Sequence, residues 1–233
     1  MEKPSRNLQV FNIITLLLAL TALALVFFYA PRERSMGEVQ RIFYFHVPIA
    51  WDSFLAFAVT LVASIAFLRT GRTSWDRMAS VSVEIGLVFT VMAIASGSIW
   101  ARPAWNTWWT WDPRLTTYTI MALIYVAYLM LRQGIDDPNR RARFAAVYGI
   151  VGFTSVPITF FSIRWWRTIH PVVIGSGSAT ASGGFDMTSP MRLVFFFSLF
   201  ALTVLYFCFL ANRLRLQEFA ERVDELKAKW LSA

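Results

Sequence analysis

The sequence predicts an all-α integral membrane protein of six transmembrane helices whose outer-face loops carry a tryptophan-rich segment. Three observations lead there. Hydrophobic residues fill 57% of the 233 positions and charged residues only 15%, a balance foreign to an ordinary soluble domain. Six stretches approach the ~20 apolar residues that a helix needs to cross a hydrocarbon core ~30 Å thick. Lys and Arg crowd two short loops that separate those stretches, as the positive-inside rule describes.

The spans are expected at Leu8 to Ala30, Ile49 to Leu68, Val81 to Ile99, Leu115 to Leu131, Phe144 to Phe161 and Met191 to Ala211, in one domain covering 1–233. The first run follows Lys3 and Arg6 as a signal peptide would. It is too long for one, however, and closes on Phe27, Phe28 and Tyr29 without a small-residue cleavage site, so it is expected to stay as a membrane helix. An even number of spans puts both termini on one side. Arg69, Arg72 and Arg77 in one loop and Arg132, Arg140, Arg141 and Arg143 in another, with Lys3, Arg6, Arg213 and Arg215, assign that side to the cytoplasm of a bacterial inner membrane. Arg32, Arg34, Arg41, Arg102, Arg114, Arg164, Arg167 and Arg192 fall on the far side. Beyond the last span, Leu214, Leu216, Phe219, Val223, Leu226 and Trp230 recur at helical spacing among mixed charges, predicting a cytoplasmic surface helix over 213–230.

Some function classes drop out. The net charge of +8 is spread over loops on both faces, which suits a lipid bilayer and not nucleic acid. Cys208 is the only cysteine, so no disulfide forms within the chain, and its thiol is expected simply to pack. The Gly-rich run over 175–184 in the third outer loop lacks the lysine of a phosphate-binding loop, so the chain does not hydrolyse ATP by itself.

The outer side gathers the chemistry. His46 and His170, the two histidines, both fall there, with eight of the ten tryptophans: Trp51, Trp100, Trp105, Trp108, Trp109, Trp111, Trp165 and Trp166. Indoles at a membrane boundary read first as an aromatic belt, and Trp51, Trp75 and Trp230 fit that reading. Five tryptophans between positions 100 and 111 exceed it. If the segment between Pro103 and Pro113 is helical, Trp105, Trp108, Trp109 and Asp112 share one face as a flat platform. At ~25 cal/mol per Å² such an apolar surface calls for a partner, either lipid or a flat apolar ligand. Two histidines beside it admit a haem iron held by an imidazole on each face of the macrocycle; the alternative is two ordinary interfacial side chains. On a helical continuation of the fifth span, Trp166 and His170 would project together. Arg102, Arg114, Arg164 and Arg167 are cations on the correct side for haem propionates, or for lipid headgroups. Asp112-Pro113 reads as the N-cap and first residue of the fourth helix. Asp52 and Glu84 sit near expected span ends, within reach of water, and are left without a role.

The run GSIWARPAWNTWWTWDPRLTT from Gly97 to Thr117 resembles the WWD motif of haem-handling membrane proteins. Together with YFHVPIAW from Tyr44 to Trp51 and WWRTIH from Trp165 to His170, it makes the chain similar to the cytochrome c maturation protein C, or haem exporter protein C, family over nearly its whole length. Where many members have glycine in the motif, this sequence has Ala101 and Asn106. The resemblance implies that His46 and His170 are axial ligands of haem b, and that Trp100, Trp105, Trp108, Trp109, Trp111, Asp112, Arg114, Trp165 and Trp166 form the haem-binding platform. It also implies delivery of haem on the periplasmic face to the haem chaperone protein E, in an assembly with the small membrane protein D and the ABC transporter subunits A and B. The chain would then be a transport and delivery protein and not an enzyme by itself, assisting at most in covalent attachment on the chaperone. The competing expectations are a bis-histidine electron-transfer cytochrome and a structural transporter subunit that binds no haem.

Overall fold

The computed structural model describes residues 5–34, 36–170 and 187–231. The Gly-rich run over 175–184 lies outside them. Among the described residues, seven helices build the bundle: α1 (Arg6–Ala24), α2 (Phe43–Thr70), α3 (Thr73–Trp105), α4 (Pro113–Gln133), α5 (Pro138–Gly152), α6 (Ser155–Trp165) and α7 (Ser189–Leu231). A π-helical turn, Leu25–Tyr29, extends α1, and a 3-10 turn, Glu38–Ile42, leads into α2. Six helical units among the described residues are long and apolar enough to cross a membrane, α5 and α6 together making the fifth.

Most helices run past the apolar stretches that announce them, and α2 and α3 do so with Pro48 and Pro103 near their ends. At 1.5 Å per residue the 43 residues of α7 extend roughly 65 Å, about twice the ~30 Å of a hydrocarbon core. The segment over 213–230 is thus a direct continuation of the last span. The fifth span departs from the unbroken helix expected over 144–161. Pro157 has no N–H for the carbonyl of Phe153 and its ring crowds that carbonyl. The chain accordingly steps out of α-geometry at 153–154, with Val156 N–H donating to Phe153 O at 2.9 Å.

Small residues let α2 and α3 approach closely. A Cβ added to Gly86 would lie 2.9 Å from Ala56 Cβ and 2.9 Å from Phe57 Cε1. Phe57 stacks in parallel on Tyr125 of α4, and Ser82 of α3 donates to the Ala56 carbonyl at 2.7 Å and meets the Tyr206 hydroxyl of α7 at 2.7 Å. This core leaves α1 at the periphery, with Ile13, Leu16, Leu17, Leu20 and Phe28 exposed to what would be lipid. Val26 and Ala30 at its end pack among Phe43, Met191, Val194 and Phe195, and polar contacts add to this: Asn212 of α7 donates to Asn12 Oδ1 at 2.8 Å, and the Cys208 thiol meets the same oxygen at 3.2 Å. The lone cysteine therefore joins an interhelical hydrogen-bond group, beyond mere packing.

Asp52 also departs from expectation. Because α2 begins at Phe43, Asp52 lies inside the helix and is fully buried, with Oδ1 accepting from Thr203 of α7 at 2.9 Å. Glu84 likewise sits inside α3 and reaches Arg213 of α7 at 2.8 Å. The loops divide the bundle into two ends. One joins α2 to α3 through left-handed Gly71 (φ 66°) and α4 to α5 through 134–137. The other end collects the start of α2, the end of α3, the start of α4, the end of α6 and the start of α7.

Candidate functional site

That second end holds both histidines. His46 lies in the first turn of α2. Its Nδ1 is 3.1 Å from Ser96 Oγ of α3, and the Ser96 hydroxyl donates to Met92 O at 2.7 Å. With the serine proton already committed, the serine oxygen accepts and His46 Nδ1 donates. The ring rests on bare backbone: a Cβ at Gly97 would stand 2.8 Å from His46 Cε1.

His170 is reached by a different route. Helix α6 ends at Trp165 and the chain turns extended at Trp166 (φ −123°, ψ 155°), so Trp166 and His170 do not share a helical face as expected. The segment is held by α4. Asp112 caps α4, its Oδ1 accepting from Leu115 N at 2.9 Å, with Pro113 at the first helical position. Its Oδ2 accepts from the Thr168 hydroxyl at 2.6 Å and from His170 Nδ1 at 2.9 Å. A carboxylate offers no proton, so His170 also carries its hydrogen on Nδ1. Burial pushes the Asp112 carboxyl up, but the hydrogen bonds from His170, the Leu115 backbone and Thr168 outweigh it and hold the carboxyl at about 2.

Asp112 therefore stabilises the fold fully above the ordinary carboxylate pKa of ~3.9, and that contribution is lost as pH falls through about 2. Thermal unfolding of the detergent-solubilised protein, followed by tryptophan fluorescence, is expected to show wild type above Asp112→Asn by a constant margin at neutral pH. The margin should narrow between about pH 4 and pH 2. A margin that ignores pH over that range would contradict the ionised, hydrogen-bonded carboxylate.

The tryptophan segment is not the helix considered above. Helix α3 ends at Trp105 because Asn106 turns left-handed (φ 55°), alone among the described non-glycine residues. This is the conformation glycine adopts without strain and asparagine tolerates. Arg102 Nη1 donates to the Asn106 carbonyl at 2.8 Å, and the Thr107 hydroxyl to the Trp109 carbonyl at 2.9 Å, fixing the non-helical course over 107–112. Trp105 stands edge-on to His170 at 5.1 Å between ring centres and edge-on to Trp100 at 5.0 Å.

Two adjoining lobes make one cavity. The smaller, about 70 Å³, is lined by Gly97, Ala101, Trp105, Trp108 and Trp109 among others. The larger, about 230 Å³, is lined by Phe43, Trp51, Phe54, Phe160, Arg164 and Phe195 among others. His46, Ala50, Trp100, Arg114 and His170 line both, which puts the two imidazoles where the lobes meet. Trp111, Trp165 and Trp166 do not line it. Trp111 is exposed and edge-on to Trp109, Trp165 stacks on Phe161, and Trp166 is edge-on to Trp165. Asp112 acts behind His170 and not on the cavity wall.

The four arginines expected on this side differ in their surroundings. Arg114 Nη1 donates to the carbonyls of Thr159 and Phe160 in α6, with its guanidinium 5.6 Å from the Phe54 ring centre, and Arg102 is engaged by Asn106. Arg164 lies over Phe160 at 5.8 Å and Arg167 is exposed. Sequence reasoning missed Ser96, Gly97 and Thr168, which hold the imidazoles, and the phenylalanines of the larger lobe. It read Trp51 as a belt residue. Only Gly97, at the head of the tryptophan-rich run, carried any signal.

The family profile for heme exporter protein C matches residues 2–229 of the chain. The chain is similar to heme exporter protein C of Bradyrhizobium diazoefficiens, at 34% identity over 198 residues covering 85% of this chain and 74% of that protein. It is similar to a cytochrome c biosynthesis ccmC-like mitochondrial protein of Marchantia polymorpha, at 33% over 208 residues and 88% of each chain. Heme exporter protein C of Escherichia coli K12 is 34% identical over 168 residues, 71% of this chain and 66% of that protein.

Proposed function

The chain belongs to the heme exporter protein C family and so handles haem in cytochrome c biogenesis, and from that premise we propose that it binds haem b in the two-lobed cavity and delivers it to a periplasmic haem chaperone, protein E. His46 and His170 are the axial ligands. The observation that carries this reading is their shared arrangement: both line one aromatic cavity, and both spend Nδ1 on a neighbour, leaving Nε2 as the nitrogen for iron. Two imidazoles alone are a poor cage for a bare ion, and no group of three metal-binding side chains occurs among the described residues. A porphyrin brings four equatorial nitrogens of its own.

In this reading Trp100, Trp105, Trp108 and Trp109 flank the macrocycle, and Arg114 and Arg164 supply positive charge to the larger lobe. Exposed Trp111, Trp165 and Trp166 face the chaperone. The site end of the single six-helix domain is periplasmic, the termini are cytoplasmic in a bacterial inner membrane, and protein D and subunits A and B complete the assembly. The chain transfers haem without converting it.

The purified full-length protein is expected to carry haem b with a low-spin six-coordinate spectrum. His46→Ala and His170→Ala should each lose that signature, with occupancy lowered by about tenfold or more. Addition of apo-chaperone to the loaded protein should move the haem to the chaperone. Unchanged spectra in both single variants would remove the axial assignment.

A further inference from the structure

The two imidazoles are held through the same atom by different chemistry. His170 donates from Nδ1 to a carboxylate that is itself fixed on both oxygens, by Leu115 N–H at 2.9 Å and the Thr168 hydroxyl at 2.6 Å. Thr168 also accepts from the His170 backbone N–H at 3.2 Å, so the short segment that carries this histidine is tied to α4 through Asp112. His46 has only neutral acceptors, the Ser96 hydroxyl at 3.1 Å from Nδ1 and the Ala93 backbone carbonyl, and its ring rests on the backbone at Gly97. An anionic acceptor draws the N–H proton more strongly than a hydroxyl does and leaves the opposite nitrogen more basic.

We propose that the two ligands are unequal by construction: Asp112 is a positioning residue that makes His170 the anchoring ligand of the haem iron, and His46 is the ligand surrendered when haem leaves. The inference rests on the bis-histidine reading above. Departure begins when the iron–Nε2 bond of His46 breaks. The electron pair stays on the neutral imidazole, the iron keeps its oxidation state, and the vacated coordination position is open to water or to an acceptor's ligand. His170 meanwhile keeps haem on the protein until the acceptor has engaged it.

The test uses the full-length, haem-loaded protein in detergent. Carbon monoxide added to the ferrous form takes the place of the more weakly held histidine, and its stretching frequency reports the ligand left in trans. Wild type is expected to match His46→Ala and to differ from His170→Ala; a match to His170→Ala instead would overturn the proposal. Asp112→Asn should raise the midpoint potential and speed haem loss to excess apomyoglobin by about 10–100-fold, while Ser96→Ala changes haem loss about fivefold or less. Equal effects of the two variants on both quantities would also overturn it, and the carbon monoxide comparison is made on the haem-bound fraction of each histidine variant, loaded with excess haem. If neither histidine variant alters the haem spectrum, it is the bis-histidine reading that fails.

Discussion

Gly97→Ala is expected to abolish the six-coordinate haem signature while leaving the helical bundle folded. The methyl group would stand 2.8 Å from His46 Cε1, 3.4 Å from Nδ1 and 3.5 Å from Nε2. Carbon atoms need about 3.5–4.0 Å, so either the imidazole swings away or α3 retreats. The ring is the softer element, and swinging it breaks the 3.1 Å bond to Ser96. Overpacking of this kind costs about 1–3 kcal/mol when the core must absorb it, whereas loss of ligand orientation lowers metal affinity by about 10–100-fold. Absorption spectroscopy of the purified variant should therefore show a haem-poor protein, or one with a five-coordinate spectrum, whose unfolding temperature is close to wild type. Ser96→Ala removes the same hydrogen bond without the clash and should retain most of its haem. A Gly97→Ala protein with wild-type haem content and spectrum would show that His46 does not act from this position.

The spans and the gathering of both histidines with tryptophans at one end of the bundle were legible because both rest on one-dimensional properties. Apolar length alone marks a membrane helix, and the clustering of tryptophans around two histidines survives without knowledge of the fold. The details that hold those groups were not legible, because they depend on pairs distant in the chain. Ser96 meets His46 across 50 positions and Asp112 meets His170 across 58. Asp112 illustrates the division: the N-cap could be read from Asp112-Pro113, yet the second carboxylate oxygen, free to serve His170, had no local sign. The helical platform over 103–113 failed for a local reason. Spacing by threes and fours among tryptophans suggested a face, but left-handed Asn106 ends the helix after Trp105. Asp52 was misplaced because the helix was begun six residues too late, at Ile49 instead of Phe43.

At the opposite end of the bundle, Asp76→Ala is expected to be the most destabilising single substitution among the surface-proximal ion pairs. Arg132 of α4 reaches both oxygens of Asp76 in α3, at 2.5 and 3.0 Å, with side chains only 11% and 16% exposed, and its guanidinium lies 5.9 Å from the Tyr128 ring centre. In the pairs Arg77–Glu221 and Arg213–Glu84 at least one partner is 47% exposed, and exposed pairs contribute about 0–1 kcal/mol. Removing Asp76 leaves a desolvated guanidinium unpaired at a cost of about 3–5 kcal/mol, whereas removing both charges recovers most of it. Unfolding of the solubilised protein should place Asp76→Ala well below wild type and the Asp76→Ala/Arg132→Met double variant between them. Haem content per folded molecule should stay unchanged in both, since the pair lies at the far end from the histidines. Single and double variants of equal, wild-type stability would mean the pair is as inconsequential as its exposed neighbours, and a loss of haem per folded molecule would mean the two ends of the bundle are coupled.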